Sequence, residues 1–354
     1  MSGKVTLADV ARQAGVSPST ASLTLSGKNA DSISEATQSK VRQAAKSLGY
    51  SLKPRKPRTT KKGKGKTIIK SNPPAIALLV DQISLGDPFL EVFKTIREEA
   101  DRHGLLVAIH ETGGDSRTIK TIMSRIEHEH IVGVLFATHS TQEIDPELPE
   151  SCKKPLILLN CYVKKETHWP AVLPGDLMGG FLATRHLLDQ GRTRIAHITG
   201  ELNYEAARDR MEGYKQALIS DGQIPDERYI RKGKWYFDSG YCETKALIAL
   251  PERPDAIFCA NDNMSLGSLF ALREAGIKVP EEVALIGYDN LPIVEQVIPR
   301  LSTMILPYGS MGKLALELLL TRLSGQPVEN HTIKVKSELV ARESTASPHQ
   351  KINK

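Results

Sequence analysis

Short apolar runs separated by stretches of helical period fill residues 75–342 and restrict this part of the chain to one broad architecture. Ala75-Ile-Ala-Leu-Leu-Val80 is apolar without alternation, the pattern of a parallel strand covered on both faces. Residues 88–103 follow with Phe89, Val92, Phe93, Ile96 and Ala100 at helical spacing. Further strands are predicted at 105–109, 132–136 and 156–159. A second series begins near Ala171, with strands at 195–198, 256–258 and 283–286 and helices starting near Gly179, Ala206, Ser239 and Met264. This β/α alternation predicts doubly wound parallel sheets. Two such units side by side place a cleft at the carboxyl ends of their strands. Polar residues gather at those ends: Asp81 and Asp87, then Asn160, then Asn261 and Asp262, then Asp289 and Asn290.

The first fifty residues have another rhythm. Thr6 can cap a helix over 7–14, and Gly15 ends it in a left-handed turn. Ser17 caps a second helix, with Pro18 at its first position and Ser26-Gly27-Lys28 as its stop. A third helix is predicted from Ser34 to Leu48. Leu7, Val10, Ala11, Ala14, Val16, Ala21 and Leu25 give the short helices apolar faces, and Val41, Ala44, Ala45 and Leu48 do so for the third. Two short helices joined by a tight Gly turn and braced by a third form a helix-turn-helix unit.

Charge separates this head from the rest. Residues 1–72 hold 15 Lys/Arg against 3 Asp/Glu, whereas the remainder is net acidic in a chain of overall charge +6. A basic head on an acidic body points to a polyanion as the head's partner. Residues 51–74 carry nine Lys/Arg, two Gly, four Pro and no acid. Such a stretch cannot bury apolar surface and reads as a flexible basic linker. It acts either as a tether adding phosphate affinity or as an arm lying in the minor groove.

The head segment Val5-Thr-Leu-Ala-Asp-Val-Ala-Arg-Gln-Ala-Gly-Val-Ser-Pro-Ser-Thr-Ala-Ser22, with Ile33-Ser34, Thr37 and Leu48-Gly49-Tyr50, resembles the LacI/GalR family of transcriptional regulators. The resemblance continues in Asp87-Pro-Phe89, in 207–214, 254–262 and 283–289, and spans about residues 4–342. It implies an all-α helix-turn-helix head (1–50) and a periplasmic-binding-protein-like body (75–342) of two doubly wound subdomains. The chain would cross between them near 170, 300 and 327, and a disordered tail (343–354) would follow. The second head helix would enter the major groove of double-stranded DNA. Pro18, Ser19 and Leu23 then occupy base-facing positions, while the hydroxyls of Thr6, Ser17, Thr20 and Ser22 can bond phosphates. Leu23 stands where several members carry a long polar or cationic side chain, and it offers only apolar contact. The hinge-helix pattern that usually follows the Tyr is missing, since Pro54 and Pro57 interrupt it.

By the same resemblance Asn160, Arg210, Trp235, Asn261 and Asp289 fall on effector-contacting positions, with Asp87 and Phe89 on the opposite wall. A carboxylate can accept two sugar hydroxyls, Arg210 offers a fork of donors, and Trp235 offers a flat apolar face. A sugar effector is therefore expected. Because Asn160 stands where a family member has a carboxylate, a nucleobase or sugar phosphate is the alternative. Arg210 and Asp289 could instead pair structurally, Trp235 could be a core residue, and Asn261 could be a helix cap.

The resemblance implies a homodimer on an approximately palindromic operator, and no leucine heptads follow residue 342 to extend it. The N-terminus lacks the apolar stretch of a secretory signal and no 18-residue apolar run occurs, so a cytoplasmic protein without membrane attachment is expected. That argues against a secreted solute-binding protein built on the same body. Cys152, Cys161, Cys242 and Cys259 show no metal-ligand spacing. With no phosphate loop or catalytic triad motif either, no cofactor, metal or enzymatic activity is expected.

Overall fold

The computed structural model describes residues 5–26, 33–50, 73–84, 87–164 and 169–346. The chain divides into two units, Met1–Lys70 and Ser71–Lys354. Residues 27–32, the expected linker through residue 72 and the last eight residues lie outside the described residues.

The first unit is three helices, α1 (Leu7–Ala14), α2 (Pro18–Ser26) and α3 (Glu35–Ser47). Thr6 and Asp9 cap α1 reciprocally: the Asp9 N–H donates to the Thr6 side chain, and the Thr6 N–H donates to the Asp9 carboxylate at 2.9 Å. Gly15 takes φ 68°, where a side chain would be strained, and its N–H closes the end of α1. The turn delivers Ser17, whose Oγ accepts from the Thr20 N–H at 3.1 Å and so opens α2 at Pro18. Val10, Ala11, Ala21, Val41, Ala44 and Ala45 form the core, with Leu7, Val16, Leu25 and Leu48 packed around it. Small alanines at these crossings let three short helices approach closely.

The second unit contains two six-stranded sheets. The first holds β1 (Ala75–Val80), β2 (Leu106–Glu111), β3 (Ile131–Glu143), β4 (Leu156–Tyr162), β5 (Ala171–Pro174) and β11 (Thr332–Val335), in the order β11-β5-β4-β3-β1-β2. The second holds β6 (Ile195–Thr199), β7 (Ile230–Lys232), β8 (Ala256–Cys259), β9 (Ala284–Asp289), β10 (Ser302–Ile305) and β12 (Glu338–Val340), in the order β12-β10-β9-β8-β6-β7. The described pairs are parallel except β10 with β12. In both sheets the order turns back beside the first strand, β1 or β6, which is where ligands settle in open α/β sheets.

Helices α4 (Leu90–Arg102), α5 (Ser116–Ile126), α6 (Glu147–Glu150) and α11 (Tyr308–Leu323) accompany the first sheet, and α7 (Asp176–Asp189), α8 (Glu205–Ser220), α9 (Phe237–Ile248) and α10 (Asp262–Glu274) the second. Strand β1 shows why its sequence is apolar throughout. Ile76, Leu78 and Val80 pack with Val92, Ile96 and Leu319 on one face, and Ala77 and Leu79 pack with Met123 and Ile126 on the other. Glycines set two close helix crossings. A Cβ on Gly213 of α8 would lie 2.0 Å from the Leu177 carbonyl oxygen of α7, and one on Gly240 of α9 would lie 2.0 Å from the Met264 carbonyl oxygen of α10.

The chain passes between the sheets after Pro174, after Ile305 and between Val335 and Glu338. These passages lie somewhat downstream of the expected positions near 170, 300 and 327, because β5, β10 and β11 first complete their pairing. The expected disordered tail needs correction at its start. Residues 343–346 are anchored: Ser344 and Thr345 are buried, the Ser344 hydroxyl donates to the Leu285 carbonyl, and Arg300 pairs with Glu343. Polar Ser and Thr look like tail residues in sequence, yet here their hydroxyls satisfy buried backbone groups of the second sheet.

Candidate functional site

A cavity of about 440 Å³ opens between the carboxyl ends of the two sets of strands. The first sheet lines it with Ser84 and Asp87 after β1 and with His139, Ser140 and Thr141 of β3. The second lines it with Tyr204 after β6, Trp235 and Tyr236 after β7, Asn261 and Asn263 after β8, and Asp289 at the end of β9. Asp176, Arg210, Leu306 and Tyr308 complete the wall. Two bonds join the lobes at the rim, from the Tyr162 hydroxyl to Glu205 at 2.7 Å and from Lys334 Nζ to Asp209 at 3.5 Å.

Arg210 is the electrostatic centre. Its side chain is only 4% exposed; Nε donates to Asp176 at 2.8 Å, Nη1 donates to the Ala260 carbonyl, and Asp289 stands 3.7 Å away. The guanidinium lies 3.7 Å from the centre of the Tyr288 ring. Burial raises the Asp289 carboxyl well above the usual carboxylate range, against the pull of Arg210 and with the push of Asp262 and Asp176.

Backbone geometry holds the wall in place. Trp235 has φ 69°, Asp289 φ 110° and Asn290 φ 61°, all in the left-handed region that non-glycine residues avoid. Such residues persist only where the surroundings hold them. Asn261 Nδ2 donates to the Trp235 carbonyl at 2.9 Å, while its Oδ1 accepts the Met264 N–H and caps α10. Gly200 leaves room for the indole, since a Cβ there would lie 2.0 Å from the ring. The buried Asp262 carboxylate accepts from the Leu291 N–H at 2.8 Å and the Thr303 hydroxyl at 2.7 Å, and so fixes the turn that presents Asp289. On the other lobe Asp81 holds His139, accepting from its N–H at 2.8 Å and meeting its ring Nδ1 at 2.8 Å. That partner raises the His139 pKa.

In the head, Ser17, Pro18, Ser19 and Leu23 are exposed and Thr20 and Ser22 half-buried, while Ala21 and Thr24 face the core. The N-terminal half of α2 thus presents hydroxyls and small apolar groups outward.

A model described as bacterial regulatory proteins, lacI family, matches residues 6–52, and a periplasmic binding protein-like domain matches residues 184–345. The transcriptional repressor CytR of Escherichia coli K12 is 33% identical over 96% of this chain and 96% of its own. The chain belongs to the lacI family. It is a DNA-binding transcriptional regulator with a helix-turn-helix head and a periplasmic-binding-protein-like body. Among solved structures, a complex of the transcriptional regulator CelR with cellobiose is 27% identical with TM-score 0.65, covering 96% of this chain and 100% of that one. The lac repressor dimer bound to operator and an anti-inducer is 25% identical with TM-score 0.66, covering 97% and 99%.

Within this lacI-family body the structure gathers Asp87, Arg210, Trp235, Asn261 and Asp289 around one cavity. Phe89 and Asn160 are not in that wall. Phe89 is buried edge-on against Phe93 and Tyr308, so it backs Tyr308 rather than lining the cavity. Asn160 turns inward, donating to the Thr138 carbonyl at 3.0 Å and accepting from the Thr141 hydroxyl at 2.7 Å, and so braces the 138–141 segment. The sequence reading passes over Asp176, His139, Tyr204, Tyr236 and Tyr308. Asp176 and His139 do carry a signal, since each is a polar residue just past an apolar strand run. The three tyrosines carry none. Among the described residues no helix is long and apolar enough to cross a membrane.

Proposed function

We propose that this lacI-family regulator represses transcription as a two-fold dimer on an approximately palindromic operator. Its DNA affinity is controlled by a sugar-like molecule held between the two lobes. The observation that carries this reading is the cavity at the paired strand ends, where Asp87, Asp289 and Asn261 offer acceptors for hydroxyls, Asn261 also offers donors, and Trp235 offers a flat apolar face. The CelR–cellobiose complex, with a carbohydrate bound to a similar fold, supports the ligand class, and the lac repressor dimer on its operator supports the assembly. In the head, Pro18, Ser19 and Leu23 face bases, and Thr6, Ser17, Thr20 and Ser22 fix register on phosphates.

The test is a footprint of the promoter beside the gene, with and without sugars that shift the melting temperature. Two protected half-sites about one helical turn apart, released or tightened by ligand, are expected. Asp289→Ala and Arg210→Ala should abolish the ligand response while operator binding persists. Full ligand affinity in both variants, or a single asymmetric footprint, would contradict the reading.

A further inference from the structure

Arg210 is the one Lys or Arg side chain among the described residues that line the cavity, against the carboxylates Asp87, Asp176 and Asp289. Its Nε and Nη1 donate inward, to Asp176 and to the Ala260 carbonyl, with Asp289 close by. An anionic ligand entering this space meets acidic side chains, while Arg210 is paired with Asp176 and the lining His139 with Asp81.

The helix ends add an independent observation. Helix N-termini facing a cleft ordinarily make anion sites, because free N–H groups and the helix dipole point outward. Among the helix ends near the cleft, those of α4, α7, α8 and α10 carry an acid in or just before the first turn, and that of α11, at Tyr308, carries none. Asp176 begins α7, and Asp262 follows the Asn261 cap of α10. Glu205 begins α8 and accepts from Tyr162. The Asp87 carboxylate accepts from the Phe89 N–H at 2.8 Å, just before α4. These acids oppose an anion at the helix ends by charge, and the Asn261 side chain also caps α10.

We propose that the cleft selects uncharged or cationic, donor-rich ligands and rejects phosphorylated or carboxylated ones. Asp176 sets this preference by pairing with Arg210 Nε and offsetting its charge. The inference rests on the cavity being the effector site and narrows its ligand class.

Calorimetry on the full-length protein tests it with matched pairs: glucose and glucose 6-phosphate, ribose and ribose 5-phosphate, uridine and its 5′-monophosphate, with glucosamine as the cation. In any pair that binds, the unphosphorylated member should bind at least about tenfold more tightly. Asp176→Asn should shrink that ratio several-fold by freeing a donor of Arg210. If that variant does not fold, Asp87→Asn, which removes one charge while keeping an acceptor, should shrink it too. Equal or tighter binding of the phosphorylated member overturns the proposal. So does an acetyl ester at the phosphate position that is excluded as strongly as the phosphate, because size rather than charge would then govern. A large ratio unchanged in the variants removes Asp176 from the role. If no probe of either charge binds while operator DNA still does, the effector-site reading fails, and the inference with it.

Discussion

His197 lies on β6 of the second sheet, its ring stacked between Tyr214 and Phe258, with Nδ1 on the Phe258 carbonyl and Nε2 unpaired among the described residues. Burial first, and then the charge of Arg210, push its pKa down to about 3 from an ordinary 6.5. A base with a depressed folded-state pKa contributes stability that is complete above 6.5 and erodes as pH falls toward 3. The expected slope is about 1.4 kcal/mol per pH unit for the one proton that the unfolded chain takes up. Urea unfolding of His197→Gln from pH 7 to pH 5 should show a shallower decline than the parent protein; an identical decline would refute the assignment. At this scale the sequence is legible only up to a definable limit. Asn160 and Asp289 sit near strand ends and Phe89 at the start of α4, and such positions mark the neighbourhood of a site. They do not say which way a side chain turns, and that depends on local bends such as the register shift of β3 between Ala137 and Gln142.

Between α7 and α8 backbone meets backbone. Gly180 stands beside the Arg210 carbonyl and Gly213 beside that of Leu177. Because Arg210 rides on α8 and Asp176 on the first turn of α7, this crossing sets the distance of their ion pair. Gly213→Ala must push the helices apart, and it should cost about 1–3 kcal/mol as overpacking strain while weakening ligand binding at a site it does not touch. Paired melting and ligand titrations would show both losses together, and a stability loss with unchanged affinity would separate the crossing from the site. Elements with caps or long apolar runs are the legible ones: α1 through Thr6 and Gly15, β1 through its six apolar residues. Strands β7, β10, β11 and β12 are three or four residues long and take their identity from neighbours that sequence periodicity does not reveal.

At the scale of the whole chain, charge is divided by task, with a basic head and linker and an acidic body. Replacing Lys61, Lys62, Lys64 and Lys66 with Gln should flatten the dependence of operator affinity on salt, by about 0.9 in log–log slope for each phosphate left without a cation. Half-site preference should not change. A binding series across salt concentrations checks this, and an unaltered slope would mean the linker does not touch DNA. The last strands of the body carry a further consequence. Strand β11 pairs with β5 in one sheet, and β12 pairs with β10 in the other. Any nonsense codon before residue 332 therefore strips both sheets of an outermost strand and bares the buried β5 and β10 as new edges, open to annealing with other chains. Truncated products of this gene should accumulate as aggregates instead of as half-working sensors. The ribosome must likewise pass β11 and β12 before either lobe can complete its sheet.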